Sequence, residues 1–262
     1  MSLLLNSLLS GNQIHPVQRT LAQVMVESPI TAKAGTVRQI TDYGGTIAIS
    51  DGNRWRLERL TCNWKDKPAA NAVPVSTDLQ VLDYNNVIFW SDGAYWRPRG
   101  VQNLYHKNGL LTQPLATVTG LTSATFSTPV LKIPAGMITP QSKLSTQVNG
   151  RKTTGTATAA FDITLGTSNS VADSGIPGVV IASPVNTDFD LASAAKFGSF
   201  TDRFFTQGWI GEGTTAPSSS VVNNDRVDNV NTNADMYLNF YISSANIADS
   251  FNLLSYRVTI EA

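Results

Sequence analysis

An internal repeat constrains the fold of this sequence more than any other feature. Residues 36–56 align without a gap on residues 77–97. Ten of the 21 aligned positions are identical, where chance would give about one. The shared residues include three short motifs: Asp-Tyr at 42–43 and 83–84, Ser-Asp-Gly at 50–52 and 91–93, and Trp-Arg at 55–56 and 96–97. The repeat predicts two copies of one supersecondary unit.

Each copy is expected to form three strands joined by two tight turns. The pairs Gly44-Gly45 and Asn85-Asn86 tolerate positive φ, so each can close a turn after the first strand. The Asp-Gly pairs at 51–52 and 92–93 lie between apolar and aromatic residues, which is a strong hairpin signal. Meanders of this size cannot bury their apolar faces alone. Residues 35–100 are therefore expected to pack against another part of the protein or against a second copy of it.

Aromatic and apolar residues cluster in this repeat region. Four of the five tryptophans lie there, a pattern typical of a β core or a subunit contact and less often of a sugar platform. Residues 87–90 are apolar at four consecutive positions, which predicts a strand covered on both faces, with a second copy of the chain as one candidate cover. The candidate residues of a homotrimer interface are Val87, Ile88, Phe89, Trp90, Trp55 and Trp96.

The N-terminal segment, residues 1–34, has helical character and two interpretations. Val17, Leu21 and Val24 follow Pro16 at helical spacing, and Pro29 ends the pattern. The segment is either a terminal helix on its own domain or a peptide that docks into another protein. The candidate anchor residues are Leu4, Leu8, Val17, Leu21 and Val24.

The apolar run at the start of this segment is short. Asn6 and the pair Gly11-Asn12 interrupt it, and neither Lys nor Arg precedes it. It is too short to span a bilayer and poorly built as a signal peptide, so we expect neither membrane insertion nor secretion by a signal of its own.

Residues 101–262 are rich in Ser, Thr, Asn and Gly and contain short strands punctuated by turn residues. Apolar residues alternate with other residues in two strands near the end, at Met236, Leu238, Phe240 and Ile242, and at Leu254, Tyr256, Val258 and Ile260. Phe251 and Leu253 are out of phase with the last set, which predicts a bulge near 253–254. Asn149-Gly150 predicts a hairpin turn. The number of strands is typical of an eight-stranded sandwich of the jelly-roll kind.

These three zones define an all-β fold class. The predicted order is a short N-terminal helical or extended anchor (1–34), two tandem β-meander repeats (35–100, with copies at 36–56 and 77–97) and a C-terminal jelly-roll-like β-sandwich (101–262). The 42% hydrophobic content is enough to build a core of this kind.

Composition excludes several functions. The chain has 19 basic and 19 acidic residues, without the positive excess that extended nucleic-acid contact needs. A single cysteine, Cys62, excludes a disulfide framework within one chain, and the two histidines offer little for a metal site or acid–base catalysis. No nucleophile elbow, phosphate-binding loop or zinc-protease motif occurs, so we predict no catalytic residues, no metal and no cofactor.

Weaker candidates leave alternatives open. Asp188 and Asp190 place two carboxylates on one side of a strand, which is the minimum for a glycosidase, and the same oxygens with Asp225 and Asp228 are the kind that bind calcium. Residues 150–155 superficially resemble a phosphate loop but are expected to form an exposed basic turn. The long polar loop 211–225 follows Trp209, the candidate receptor-binding residue if the protein binds a host glycan.

Two stretches of this sequence resemble segments of tailed-bacteriophage structural proteins. One is Phe-Trp-Ser-Asp-Gly-Ala-Tyr-Trp-Arg-Pro at 89–98; the other comprises residues 234–242 and 250–258, which are similar to the closing strands of small jelly-roll domains in phage fibres and decoration proteins. The resemblance implies a homotrimer that is attached to the virion by its N-terminal part and exposes its C-terminal domain. It carries over no receptor-binding residue.

We therefore expect a non-enzymatic structural protein of a phage virion, assembled in the host cytoplasm. Its expected partners are two further copies of itself, a capsid, portal or tail protein, and a host surface glycan. A short fibre for host attachment is preferred over a capsid-decorating or head-fibre protein without a receptor role. A small polysaccharide depolymerase and a secreted carbohydrate-binding module are the rivals from other classes.

Overall fold

The computed structural model describes residues 16–119, 124–125, 131–170, 174–181, 187–198, 203–210, 226–228, 230–244 and 246–262. Most of the described chain is β-strand, which confirms the predicted all-β class. Backbone contacts divide the chain into unit 1, Met1–Trp96, and unit 2, Arg97–Ala262, with a boundary close to residue 100.

The repeat region forms two four-stranded modules, one for each copy, and the last strand of the second module crosses the boundary between the units at residue 96. The elements of module 1 (residues 17–57) are β1 (Val17–Arg19), α1 (Leu21–Val26), α2 (Pro29–Ala32), β2 (Val37–Ile40), β3 (Thr46–Ser50) and β4 (Trp55–Leu57). Module 2 (residues 60–98) has β5 (Leu60–Cys62), two 3-10 turns (Trp64–Asp66 and Ala70–Ala72), β6 (Asp78–Val81), β7 (Val87–Ser91) and β8 (Trp96–Pro98). In each sheet the strands lie in chain order, and the first strand is parallel to the second.

The predicted turns of the repeat are confirmed. Gly44 and Gly45 have φ of 65° and 76°, and Asn85 and Asn86 have φ of 56° and 57°. Both pairs lie at the end of a five-residue connection between paired antiparallel strands, and glycine and asparagine adopt positive φ at least cost.

The N-terminal segment is not separate from the repeat region. Its described part forms β1 and the two helices, and β1 pairs with β2 over three residues. Thr20 caps α1 by accepting a hydrogen bond from the Gln23 amide, while the Gln23 side chain accepts one from the Thr20 amide, a capping box. Residues 16–34 thus complete module 1.

The tryptophans of the repeat belong mainly to the module cores. Trp55, Trp64 and Trp96 are all buried, and the rings of Trp64 and Phe89 lie 4.9 Å apart. In β7 Val87 and Phe89 are buried, while Ile88 and Trp90 are half-buried, so cover of the second face by another copy of the chain stays a prediction. Alternate residues of a strand face opposite sides, and only one side of β7 is closed by its own module.

Unit 2 is a sandwich of two sheets. Its strands are β9 (Gln102–Asn108), β10 (Ala116–Thr119), β11 (Ala124–Thr125), β12 (Leu131–Ile133), β13 (Lys143–Thr154), β14 (Ala159–Gly166), β15 (Ser174–Ile181), β16 (Thr187–Phe197), β17 (Arg203–Ile210), β18 (Arg226–Asp228), β19 (Met236–Ser244) and β20 (Ser250–Glu261). The larger sheet has the order β10-β20-β13-β16-β17-β18, with β9 also on β20. The smaller has the order β11-β19-β14-β15, with β12 also on β19. The described strands exceed the eight that were predicted.

Aromatic contacts join the two sheets. Phe161 of the smaller sheet lies 5.2 Å from Phe189 of the larger sheet, and Phe240 lies 5.4 Å from Tyr256, measured between ring centroids. The predicted alternation of β19 is confirmed, since its burial alternates at every residue from Met236 to Ser244. These inward side chains form the core between the sheets.

The predicted bulge in β20 is confirmed. Asn149 lies opposite Ser255 and Gly150 lies opposite Leu253, so Leu254 is the extra residue. Because the bulge reverses the alternation, Leu253 is buried while Leu254 is only half-buried, and Leu254 does not share the buried face of Tyr256. In this detail the predicted face of the last strand was wrong.

The predicted hairpin turn at Asn149-Gly150 is wrong, because β13 runs straight through it. Glycine is required there by a close approach. A Cβ at residue 150 would lie 2.2 Å from the Phe189 ring and 2.7 Å from the carbonyl oxygen of Asn252. The glycine that predicted a turn is therefore present because two neighbouring strands approach it too closely for a side chain.

The predicted exposed basic turn at residues 150–155 is also wrong. Lys152 is fully buried, and its Nζ lies 3.5 Å from Oδ1 of the buried Asp249. The ammonium also donates to the carbonyl oxygen of Ala157, and Asp249 accepts a hydrogen bond from the Ser244 hydroxyl. A charge that is neutralised in this way tolerates burial, which local polarity cannot reveal.

Candidate functional site

The tryptophans shared by the two repeat copies make equivalent hydrogen bonds. The indole Nε1 of Trp55 donates to the Glu27 carbonyl oxygen at 2.9 Å, and that of Trp96 donates to the Pro68 carbonyl oxygen at 2.8 Å. In both modules the indole ties the last strand to the segment before the second strand. We call this contact the tryptophan clip.

The Ser-Asp-Gly motif holds the turn that precedes each tryptophan. Ser50 donates to the Pro29 carbonyl oxygen and accepts from the Gly52 amide, and Ser91 makes the corresponding bonds to Ala70 and Gly93. The following aspartate accepts two backbone amides in each copy: those of Asn53 and Arg54 at Asp51, and those of Ala94 and Tyr95 at Asp92.

Asp42, Asp51 and Asp83 accept hydrogen bonds from backbone amides and so stabilise the fold. The two amides at Asp51, together with Arg56, hold the pKa of this carboxyl well below its usual range. Asp42 and Asp83 accept the backbone amides of Leu21 and Trp64, each at 2.9 Å. The shared Asp-Tyr aspartate and the shared Ser-Asp-Gly and tryptophan residues therefore have structural roles in both copies.

The candidate anchor residues fall into three groups. Leu21 and Val24 are buried in module 1, so their apolar surfaces are already covered. Val17 on β1 is 46% exposed. Leu4 and Leu8 lie outside the described residues.

The candidate interface residues are likewise divided by their burial. Val87, Phe89, Trp55 and Trp96 are enclosed in their own modules, which leaves Ile88 and Trp90 as the half-buried members of the set. Module 1 exposes further apolar side chains: Val26 is 85% exposed, Ile30 is 73% exposed, and Ile49 lies opposite Val37 on the sheet surface. This second set was missed by the sequence analysis.

A depression of about 260 Å³ lies in unit 1 between β4 and residues 74–77. Two arginines line it, but both already contact Asp51: the Nε atoms of Arg54 and Arg56 lie 3.4 Å and 2.9 Å from its Oδ2. Because the local charge is partly neutralised, this depression is a poor candidate for an anionic ligand.

The outer face of the larger sheet in unit 2 carries a polar surface, which we call the outer platform. Strand register places its members side by side: Arg257 lies opposite His106 and Gln147, and Gln147 lies opposite Ala192. Its members are Asn103, His106, Ser145, Gln147, Asn149, Asp190, Ala192, Ser255, Arg257 and Thr259.

A depression of about 250 Å³ lies in the outer platform. Its lining residues are Val101, Ser145, Thr146, Gln147, Ala192, Ser193, Arg257 and Thr259. Hydrogen bonds fix its surroundings, because Arg257 Nε donates to Asn103 Oδ1 at 2.6 Å and Ser255 Oγ donates to Asn149 Oδ1 at 2.8 Å. Its lining combines small residues with polar side chains, a composition suited to binding a polar ligand by hydrogen bonds.

The sequence could have indicated only part of this surface. Polar residues at every second position of β13 (Lys143, Ser145, Gln147, Asn149 and Arg151) mark one face of that strand as solvent-directed. Which strands flank it does not follow from that pattern.

Asp188 and Asp190 lie on one face of β16, as predicted, but in different environments. Asp188 is exposed and its Oδ1 lies 3.4 Å from Nε of Arg151. Asp190 is half-buried opposite Asn149, and burial raises its pKa, while the Leu191 amide opposes that shift. Their separation along the strand is about 7 Å, two residues at the usual strand rise.

The other candidates are placed as follows. Trp209 lies within β17, directly opposite Ala192 in the backbone register. The loop 211–225, with Asp225, lies outside the described residues, and Asp228 is in β18. Cys62 is half-buried, and burial raises the pKa of its thiol to about 11, so the thiol remains protonated at neutral pH.

Two other kinds of site are absent from the described residues. Within the described ranges, no three histidine, cysteine or acidic side chains come together as a metal site. Of the helices in the described chain, none has the length and apolar character to cross a membrane.

Neither a protein-family model nor a curated protein sequence matches this chain. Among solved structures, lectin II from Ulex europaeus is similar over 63% of this chain and 94% of its own, with 10% identity and a TM-score of 0.31. SCLam, a non-specific endo-β-1,3(4)-glucanase from family GH16, is similar over 62% of this chain and 92% of its own, with 8% identity and a TM-score of 0.31. A legume lectin-like domain from Entamoeba histolytica gives 7% identity and a TM-score of 0.28 over 61% of this chain and 89% of its own. Likeness at this level carries no inference about function.

Proposed function

We propose that this chain is a non-enzymatic structural and attachment protein. Unit 1 contributes the two structural modules, and unit 2 presents the outer platform to a polar ligand. The observation that carries the proposal is that the serine and tryptophan side chains shared by the repeats make internal hydrogen bonds, while Gln147 and Arg257 line a polar depression on one sheet face of unit 2.

The setting proposed for this protein is the virion of a tailed bacteriophage. This part rests on the resemblance of residues 89–98, 234–242 and 250–258 to phage structural proteins. A short fibre for host attachment is favoured over a decoration protein because a depression with a polar lining lies on the sandwich. Capsid, portal or tail protein is the proposed attachment point.

Attachment is tested with the full chain on isolated host envelope and on purified capsids. We expect saturable binding to envelope, reduced at least about tenfold by the double change Gln147→Ala and Arg257→Ala, because both side chains line the depression. Asn53→Ala is the matched control, since it copies the residue at the aligned position 94 of the second repeat. Binding to capsids alone, with increased heat resistance of the capsids, would instead establish the decoration protein.

A homotrimer is the proposed assembly. Module 1 leaves Val26, Ile30 and the facing pair Val37 and Ile49 exposed, and an apolar surface of this kind is typical of a subunit contact. Sedimentation equilibrium at micromolar concentration is expected to give three times the chain mass of 28.2 kDa. Ile30→Asp is expected to shift the protein toward monomer, whereas a wild-type monomer would contradict the assembly.

A small depolymerase is the second candidate, and it is favoured by one observation. Asp190 has a raised pKa while Asp188, two residues away, contacts Arg151, and a pair of carboxyls in unlike environments is what a glycosidase needs. A reducing-end assay on host polysaccharide decides between the classes. Turnover by the wild type that is lost in both Asp188→Ala and Asp190→Ala would replace the attachment proposal.

A further inference from the structure

We propose that the depression on the outer platform binds an acidic saccharide and that Arg257 receives its carboxylate. This inference rests on the proposed function, because it specifies the ligand of the same surface. It is carried by the environment of Arg257 and by the uncommitted hydrogen-bonding groups beside it.

Arg257 is held in place without being neutralised. Its Nε donates to the amide oxygen of Asn103 at 2.6 Å, which orients the guanidinium plane. Within the described part of the chain no carboxylate forms an ion pair with it. A planar guanidinium with free terminal N–H groups is the side chain best matched to a carboxylate, because it can donate two parallel hydrogen bonds.

Other basic groups on this face differ from Arg257. Lys143 Nζ lies 2.8 Å from Glu261, and Arg151 Nε lies 3.4 Å from Asp188, so both have acidic partners. Asp190 is on the same face but belongs to β16, and β13 separates that strand from β20 and Arg257. The positive charge at the depression is therefore available to a ligand.

The groups around Arg257 suit the rest of a saccharide. Gln147 lies opposite Arg257, and Ser145 lies opposite Thr259. Among the described contacts these three side chains form no hydrogen bond of their own, so they can pair with sugar hydroxyls as donors and acceptors. Val101, 58% exposed, offers an apolar contact at the rim for the face of a sugar ring.

The size of the depression limits the ligand. Its volume of about 250 Å³ is below the range of about 300–1,000 Å³ that holds drug-sized molecules. This fits one acidic sugar residue of a polymer, with the neighbouring residues lying along the open platform.

The test uses the full chain and a panel of acidic polysaccharides: polygalacturonate, alginate and hyaluronate, each with its carboxyl-reduced form. Titration calorimetry is expected to show binding of at least one acidic polymer and about tenfold or more weaker binding of its reduced form, the loss of one charge-assisted contact. Arg257→Ala is expected to bind both forms equally weakly, and Arg257→Lys to retain part of the preference. Lys107→Gln, which removes an exposed charge from the neighbouring strand outside the depression, is expected to match the wild type.

Several outcomes would overturn the inference. These are no binding to any acidic polymer in the panel, an Arg257→Ala variant with the wild-type preference, or tighter binding of poly(glycerol phosphate), which would assign the site to a phosphate. If envelope binding persists while carboxyl reduction of the envelope polysaccharide has no effect, the inference fails and the attachment function stands. If envelope binding itself is absent, the attachment function fails.

Discussion

Replacing Asp249 by alanine is expected to lower the free energy of unfolding by about 3–5 kcal/mol, because it leaves the buried Lys152 ammonium without its counter-charge. Lys152 and Asp249 have side-chain exposures of 0% and 1%, and the 3.5 Å contact between Nζ and Oδ1 joins strand β13 to the start of β20. Asp249 also accepts a hydrogen bond from the Ser244 hydroxyl, so the substitution removes an acceptor from two buried polar groups at once. Urea unfolding followed by circular dichroism measures the loss.

The matched control for this prediction is the half-exposed pair Lys143 and Glu261 of the same sheet. Its contact is shorter, 2.8 Å, but its side chains are 32% and 31% exposed. Glu261→Ala is expected to cost about 1 kcal/mol or less because solvent screens the interaction. The double change Lys152→Met and Asp249→Ala is expected to recover part of the loss, since it removes both buried charges. Equal costs for Asp249→Ala and Glu261→Ala would contradict the buried ion pair.

Replacing Trp96 by alanine is expected to lower the free energy of unfolding by about 3–5 kcal/mol, and Trp55→Ala by a similar amount. Both indoles are nearly buried, at 3% and 4% exposure, and both make the tryptophan clip with almost the same length. Because the two contacts are copies of one another, equal costs follow from the repeat. Four of the five tryptophans lie in unit 1, so tryptophan fluorescence during urea titration reports mainly on this unit.

Two further variants separate the contribution of ring packing to stability from that of the hydrogen bond in the tryptophan clip. Trp96→Phe keeps most of the ring but leaves the Pro68 carbonyl oxygen without its donor, so a loss of about 1–3 kcal/mol is expected. Asn53→Ala, an exposed position that already holds alanine in the second copy, is expected to change stability by about 0.5 kcal/mol or less. A tryptophan substitution that costs no more than Asn53→Ala would show that the clip does not hold the module.

Sequence reasoning succeeded where the cause of a structure is local. Two consecutive residues that tolerate positive φ close the turns at 44–45 and 85–86, and a regular alternation of apolar residues defines β19. The bulge at Leu254 was also visible, because a phase shift in the alternation leaves one residue over.

Sequence reasoning failed where the cause lies far along the chain. Asn149-Gly150 reads as a turn, but the glycine is required by Phe189, 39 residues further along in the sequence. The local sequence predicts that Lys152 is exposed, but its partner Asp249 lies 97 residues further along, directly before β20. The first strand of each module was missed because β1 and β5 share no residue identity and pair only after the chain returns.

The sequence by itself determined the two-copy organisation, the all-β class and the turn positions, because a repeat, a period of two and a tolerance of positive φ are properties of neighbouring residues. The tertiary structure alone decided which polar side chains share the outer platform and which charges are buried. Asn103, Gln147 and Arg257 come from three strands, and their proximity depends on strand order and register, which no spacing in the sequence records.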